Sequence, residues 1–237
     1  MGKSDLANTL SQLMACARQH LERGNHAAAF AAIEKAFRTD PAACRTAACV
    51  EVLVAVATAC KAGGDRKSAI AAYECMIELQ PRFDPESRLN DYVTDLGRLL
   101  FCDGQFQRAA SAFAQVVATD EENAFAWHAL GMARARLEQW EAAIDAWQHA
   151  IAAGACWHSF LALGQACLQA GAYEQAAEAF EATIKIRPAC PEAFIGLAQA
   201  AERIGHRDWA INSYQAAFDL APENPVYACA LIDADRL

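Results

Sequence analysis

Trp127-His128-Ala129-Leu130-Gly131, followed by Ala143-x-x-x-Trp147, is the stretch on which the fold turns. The same grammar returns as Phe160-x-x-Leu163-Gly164, Ala176-x-x-x-Phe180 and Pro188. These spacings belong to helices with one apolar stripe. Small residues at Gly131, Gly164, Ala143 and Ala176 let two helices approach closely. Trp127, Trp147, Phe160 and Phe180 fill the space around those contacts, each contributing about 1.5–3 kcal/mol when buried.

Four further copies align with this pair. Phe194, Leu197 and Ala198 lead to Ala210, Tyr214 and Pro222; Val93, Leu96 and Gly97 lead to Gly104, Ala109 and Phe113. Leu53, Val56 and Ala57 lead to Gly64, Ala69, Tyr73 and Pro81. Leu13, Cys16 and Ala17 lead to Gly24, Ala29, Ile33 and Pro41. The units fall at 10–43, 50–83, 90–123, 124–156, 157–190 and 191–224, with a capping helix over 225–237. The first two intervals are longer, which places extra residues near Ala43–Cys49 and Phe83–Leu89. Gly24, Gly64, Gly104, Gly171 and Gly205 are expected between the two helices of their units, where glycine tolerates the left-handed conformation. Pro41, Pro81, Pro188 and Pro222 are expected to stop the second helix.

This pattern of W-x-x-L-G, A-x-x-x-F and P at a period of ~34 residues resembles the tetratricopeptide repeat family over nearly the whole chain. The resemblance implies an all-α, right-handed α-solenoid of six helix–turn–helix units plus a C-terminal cap, forming one domain. One unit cannot cover its own apolar face, so neighbours must stack.

Composition agrees with a helical stack. Hydrophobic residues make up 55% of the 237, and alanine, the best helix former, is abundant. No alternating β-branched run indicates a sheet, and no low-complexity linker divides the chain. The net charge of −9 and the absence of a Lys/Arg run disfavour nucleic acid or an anionic membrane as a general partner. The acidic balance reads first as a solubility feature. No stretch approaches the ~18 apolar residues of a membrane span.

The ten cysteines read as structural thiols. Cys60 and Cys167 share one repeat position, Cys16 stands where Leu130 and Leu163 stand, and free cysteine behaves as a small hydrophobe. Cys44-x4-Cys49 lacks a second half for a zinc site. Met1–Leu10 is too polar for a secretory signal, position 6 is Leu6 rather than the Ser or Thr of a myristoylation motif, and the residues before Cys16 are too polar for a lipoprotein leader. A reducing, cytoplasmic setting is expected.

By resemblance, the first helices line a concave groove, which is where partners of the family usually lie. The inner positions map to Asp91, Thr94, Asp95, Arg98 and Phe101 in the third unit. They map to Phe125, His128, Met132 and Arg136 in the fourth, and to His158, Leu161, Gln165 and Leu168 in the fifth. The sixth offers Glu192, Ile195, Gln199, Glu202 and Arg203, and the first two offer Met14, Arg18, Glu51, Val54, Thr58 and Lys61. The middle units present apolar groups, and Arg98 and Arg136 carry the planar fork that pairs with carboxylates. The expected groove set is Arg98, Phe101, Phe125, His128, Met132, Arg136, His158, Leu161, Gln165 and Leu168. It would receive a protein helix or extended peptide with one or two large apolar anchors. The Lys and Asn clamp with which some family members hold acidic C-termini is missing.

No nucleophile elbow, zincin, phosphate-loop or dinucleotide motif appears, so the chain reads as non-enzymatic and without cofactor. His128 and His158, with Cys156 or Cys167, would form a metal site only if three helices offered compatible geometry. Trp140 and Trp147 read as core, whereas Trp209 is expected on the convex side, where exposure would hint at self-association. Two other functional classes stand beside the peptide scaffold. One is a self-assembling structural protein and homo-oligomer that exchanges Tyr227, Leu231 and Ile232 of the cap. The other, by family analogy, is an assembly factor or secretion chaperone for a bacterial surface machine.

Overall fold

The structure, a computed structural model, describes residues 3–40, 44, 47–79 and 89–236. Among these there are thirteen helices and no strand. The helices divide between two compact units, 1–119 and 120–237. The first unit contains α1 (Lys3–Glu22), α2 (His26–Thr39), α3 (Ala47–Ala62), α4 (Arg66–Leu79), α5 (Leu89–Cys102) and α6 (Phe106–Thr119). The second contains α7 (Ala124–Ala135), α8 (Trp140–Ala152), α9 (Trp157–Ala170), α10 (Tyr173–Ile186), α11 (Pro191–Ile204), α12 (Arg207–Leu220) and α13 (Pro225–Arg236). Consecutive helices pair into hairpins, and within each unit the hairpins stack as a solenoid does. Pro41, Pro81 and most of the extra residues expected near Ala43–Cys49 and Phe83–Leu89 lie outside the described residues.

The turns follow from backbone chemistry. Gly24, Gly64, Gly104, Gly171 and Gly205 all have φ between 69° and 93°, closing the first helix of each hairpin. In the α7–α8 turn the same place is held by Glu138, at φ 59°. A side chain there costs roughly 1–2 kcal/mol in steric strain. Helix α10 ends at Ile186 and α12 at Leu220, each two residues before Pro188 and Pro222. The side chain of Asn123 accepts from Ala126 N at 3.0 Å and caps α7.

In unit 2 the core is an interlock of rings and glycines. Phe180 is fully buried. A Cβ built at Gly164 would lie 2.7 Å from its ring, and one built at Gly196 only 2.3 Å. The ring therefore sits between α9 of its own hairpin and α11 of the next. Trp147 meets Gly131 in the same way, with a notional contact of 2.7 Å. Cys167, Leu197 and Ala200 close the cluster around Phe180, while Ala210 and Tyr214 anchor a second one beneath α13. Trp140 packs beside Trp147. Trp209 is not the exposed convex residue anticipated. It is half-buried and lies against both clusters, each of which contains α11 residues.

In unit 1, Phe113 packs on Gly97 at 2.8 Å by the same measure. Asp95 binds two neighbours, accepting from Lys61 Nζ at 2.6 Å and from the Tyr73 hydroxyl at 3.0 Å. Burial first, then the carboxylate, pushes the Tyr73 hydroxyl above its ordinary range, so it remains a donor. All ten cysteines are free thiols. Burial pushes Cys44, Cys60, Cys75 and Cys167 up to about 11, so they stay protonated.

Two stability outcomes follow. Gly196→Ala gains ~1 kcal/mol in helix propensity, yet forces a Cβ onto a ring that cannot retreat from Gly164. Urea denaturation is expected to show a net loss of about 1–2 kcal/mol, relieved in a Phe180→Leu background; equal losses in both backgrounds would contradict the interlock. Glu138→Gly removes the left-handed strain and should raise stability by roughly 0.5–1 kcal/mol, where Gly171→Ala should lower it.

Candidate partner-binding face

Helix spacing aligns the expected site residues of unit 2 into two stripes. Phe125, His128 and Met132 lie at i, i+3 and i+7 on α7, with Arg136 at its C-cap. His158, Leu161, Gln165 and Leu168 lie at i, i+3, i+7 and i+10 on α9. Helices α7 and α9 touch, as do α9 and α11, so the first helices form one row. Phe125 is 52% exposed and Met132 37%. Leu161 and Leu168 are half-buried and pack on the cluster around Phe180. Arg136, His158 and Gln165 are exposed.

Arg98 and Phe101 belong to unit 1 and are described with it. Arg98 is exposed, with Nη1 3.6 Å from the Asp95 carboxylate. Phe101 is half-buried, its ring edge-on to Phe106 at 5.2 Å. Lys61 and Asp95, two further inner positions, are engaged with one another across adjacent hairpins.

The polar chemistry of the row concentrates where α7 meets α9. His128 Nδ1 lies 2.7 Å from the hydroxyl of Ser159, which is itself buried. Sequence reasoning passed over Ser159: in a helix it signals nothing until the facing residue is known. The Cys156 thiol lies 3.0 Å from His158 Nδ1, and the His158 ring stacks on Trp157 at 3.6 Å. The Arg187 guanidinium covers the Trp157 indole at 4.2 Å. Burial, with His158 adding to it, pushes the His128 imidazole below 6.5, so at neutral pH it is uncharged. Cys167 stands apart, buried beside Gln175. The thiol–imidazole cluster considered as a metal site does not assemble: among the described residues no group of three His, Cys, Asp or Glu could hold a metal ion. Nor is any helix among them long and apolar enough to cross a membrane.

Comparison with known proteins bears on this geometry. The tetratricopeptide repeat family model matches residues 94–155 and 128–193. No curated protein matches the chain. Among solved structures, a crystal structure of MamA is similar at 26% identity and a TM-score of 0.67, covering 75% of this chain and 94% of that one. A second MamA structure is similar at 27% identity and a TM-score of 0.65, covering 70% and 95%. YrrB, described as a TPR protein with an unusual peptide-binding site, shares the fold at 17% identity and a TM-score of 0.68, covering 86% and 98%. The match places tetratricopeptide repeats within residues 94–193, and the solved structures share the fold, with no particular member singled out. Such a repeat stack supports a protein–protein interaction scaffold.

The half-buried His128 imidazole makes a pH dependence. A His harder to protonate folded than unfolded means that the unfolded chain takes up more protons as the pH falls through 6.5. The stability attached to neutral His128 is thus present above pH 6.5 and is lost as the pH falls toward the folded-state value. Thermal melts at pH 7.5, 6.5 and 5.5 should show the wild type losing more stability than His128→Gln. Parallel profiles would remove the argument.

Proposed function

We propose that unit 2 receives a protein segment along the row of first helices, as a non-enzymatic scaffold. The observation that carries this reading is the pair Phe125 and Met132, two large apolar side chains left exposed two turns apart on one face of α7. Exposed apolar groups set among polar neighbours mark docking surfaces more often than scattered ones do. Methionine adapts to varied apolar anchors. His128, His158 and Gln165 supply hydrogen-bonding capacity around them, and Leu161 and Leu168 form the floor between α9 and the core. The expected occupant is a helix or extended peptide with one or two apolar anchors. YrrB is described as having a peptide-binding site, which supports the same use of the fold.

A second reading, self-association, draws on α13. Val226 and Ile232 are 65% and 51% exposed on it, whereas Leu231 faces the core beneath it. A second copy would cover that face.

The two readings separate cleanly. Phe125→Glu with Met132→Glu changes exposed positions and should leave the thermal midpoint within a few degrees. In a pull-down it should lose the partners recovered by the wild type, by tenfold or more. Equal recovery would rule out the α7 face. Light scattering of wild type and Ile232→Glu tests the second reading, since a monomer in both leaves α13 a simple cap.

A further inference from the structure

The charge of the chain is unevenly divided. Residues 1–119 hold 13 acidic and 13 basic side chains, and residues 120–237 hold 16 acidic and 7 basic. The whole formal excess of −9 therefore belongs to unit 2. Within that unit five of the sixteen acids are ordered on α8 and α10, with Gln148 at the sixth position. Glu141, Asp145 and Gln148 lie at i, i+4 and i+7 on α8, and Glu174, Glu178 and Glu181 hold the equivalent positions on α10. All six are exposed. The basic side chains on these two helices are His149, whose Nε2 lies 3.8 Å from Asp145, and Lys185 near the end of α10. Arg134 of α7 is spent on the carbonyl of Ala142 at 2.9 Å.

A cleft of about 280 Å³ lies between one residue of each stripe, over α9. Gln148 from one stripe and Glu178 from the other both line it, together with Gln175. These three are exposed. Its apolar part comes from half-buried Phe160 and Leu163 of α9 and Ala182 of α10. The cleft exists because α9 packs on both α8 and α10, and the repeat places small residues at Ala179 and Ala182 where a larger side chain would fill the gap.

We propose that this cleft is a second binding surface, separate from the first-helix face, and that it takes a basic protein segment carrying one apolar anchor. The two acidic stripes select the charge of the occupant. Complementary potential speeds encounter and excludes acidic competitors, and it weakens as salt rises. The apolar floor between amide and carboxylate groups selects a single large side chain, such as leucine, methionine or phenylalanine, with lysine or arginine on either side of it. Nucleic acid, carrying the same sign of charge as the stripes, is repelled.

The probes are three fluorescein-labelled 14-residue peptides: one with four lysines around a central phenylalanine, its Phe→Ala twin, and a twin with glutamate in place of every lysine. Fluorescence anisotropy with the full chain in 50 mM salt should show the phenylalanine peptide binding at least fivefold tighter than the alanine twin, and the glutamate twin not at all. Raising the salt to 300 mM should weaken binding about tenfold. Glu178→Lys with Glu181→Lys, both on the surface, should weaken it tenfold or more. Ala182→Trp fills the cleft and should erase the preference for phenylalanine while keeping the salt dependence; circular dichroism melts verify that it folds. Phe125→Glu with Met132→Glu should leave the peptide affinity unchanged, which separates this surface from the α7 face. The proposal is overturned by no binding of the phenylalanine peptide, by equal affinity for the first two peptides, or by indifference to the charge reversal.

Discussion

A ring seated in a slot that only glycine can provide is the contact on which the rest of unit 2 depends. Phe180 touches Gly164 within its own hairpin and Gly196 in the following one. Neither hairpin owns the contact, so neither is complete without the other. This is the physical content of stacking: cohesion lies between neighbours, and a hairpin taken alone would expose the face that its successor covers. Trp147 on Gly131, and Phe113 on Gly97 in unit 1, repeat the contact within a hairpin, with an indole in place of the phenyl ring in the first case. Ring size varies because the slot sets only the distance of closest approach.

Once the interlock carries the packing, the outer edge of each first helix is released from it. Phe125 and Met132 are exposed on α7, while the equivalent stripe on α9 is mixed, Leu161 and Leu168 being held against the core and His158 and Gln165 left outside. A polar contact on this row, His128 with Ser159, ties α7 to α9, and burial favours the uncharged imidazole there. A hydrogen bond of this sort orients two adjacent first helices without filling the surface above them. The face is thus held from below and is free to differ from repeat to repeat.

Much of this was legible in the sequence. The helical hairpins follow from spacing alone, since a 3.6-residue period and glycine at a left-handed turn leave few alternatives. Five glycines were placed at such turns, and the structure has all five at positive φ. Gly196 was not singled out: it precedes Leu197 by one residue and so falls outside the motif, and its role depends on a ring sixteen residues earlier. Ser159 was missed for a related reason, because one small polar residue on an apolar helix has no meaning until its neighbour across the interface is known. Trp209 departs from its expected exposure, as its place beside Ala210 does not reveal that two clusters converge there. Glu138 shows the opposite case. The slot was clear from the other units, and the residue occupying it is one that the slot disfavours.

Charge illustrates why averages conceal what repeats make. A net of −9 over 237 residues reads as a solubility feature. Yet a repeat multiplies each exposed position at a fixed spacing, so a carboxylate on one second helix becomes part of a row when the next helix carries another. Glu141 and Glu174 are the same position in successive units, as are Asp145 and Glu178. Like charges brought side by side raise each other's energy, and that cost is tolerated because the groups stand in water. Five of the sixteen acids of unit 2 stand along α8 and α10, with Lys185 the one Lys or Arg on those helices, so a net of −4 is gathered there. A surface of this kind arises with no change in fold, since the interlock beneath it involves none of the residues that carry it.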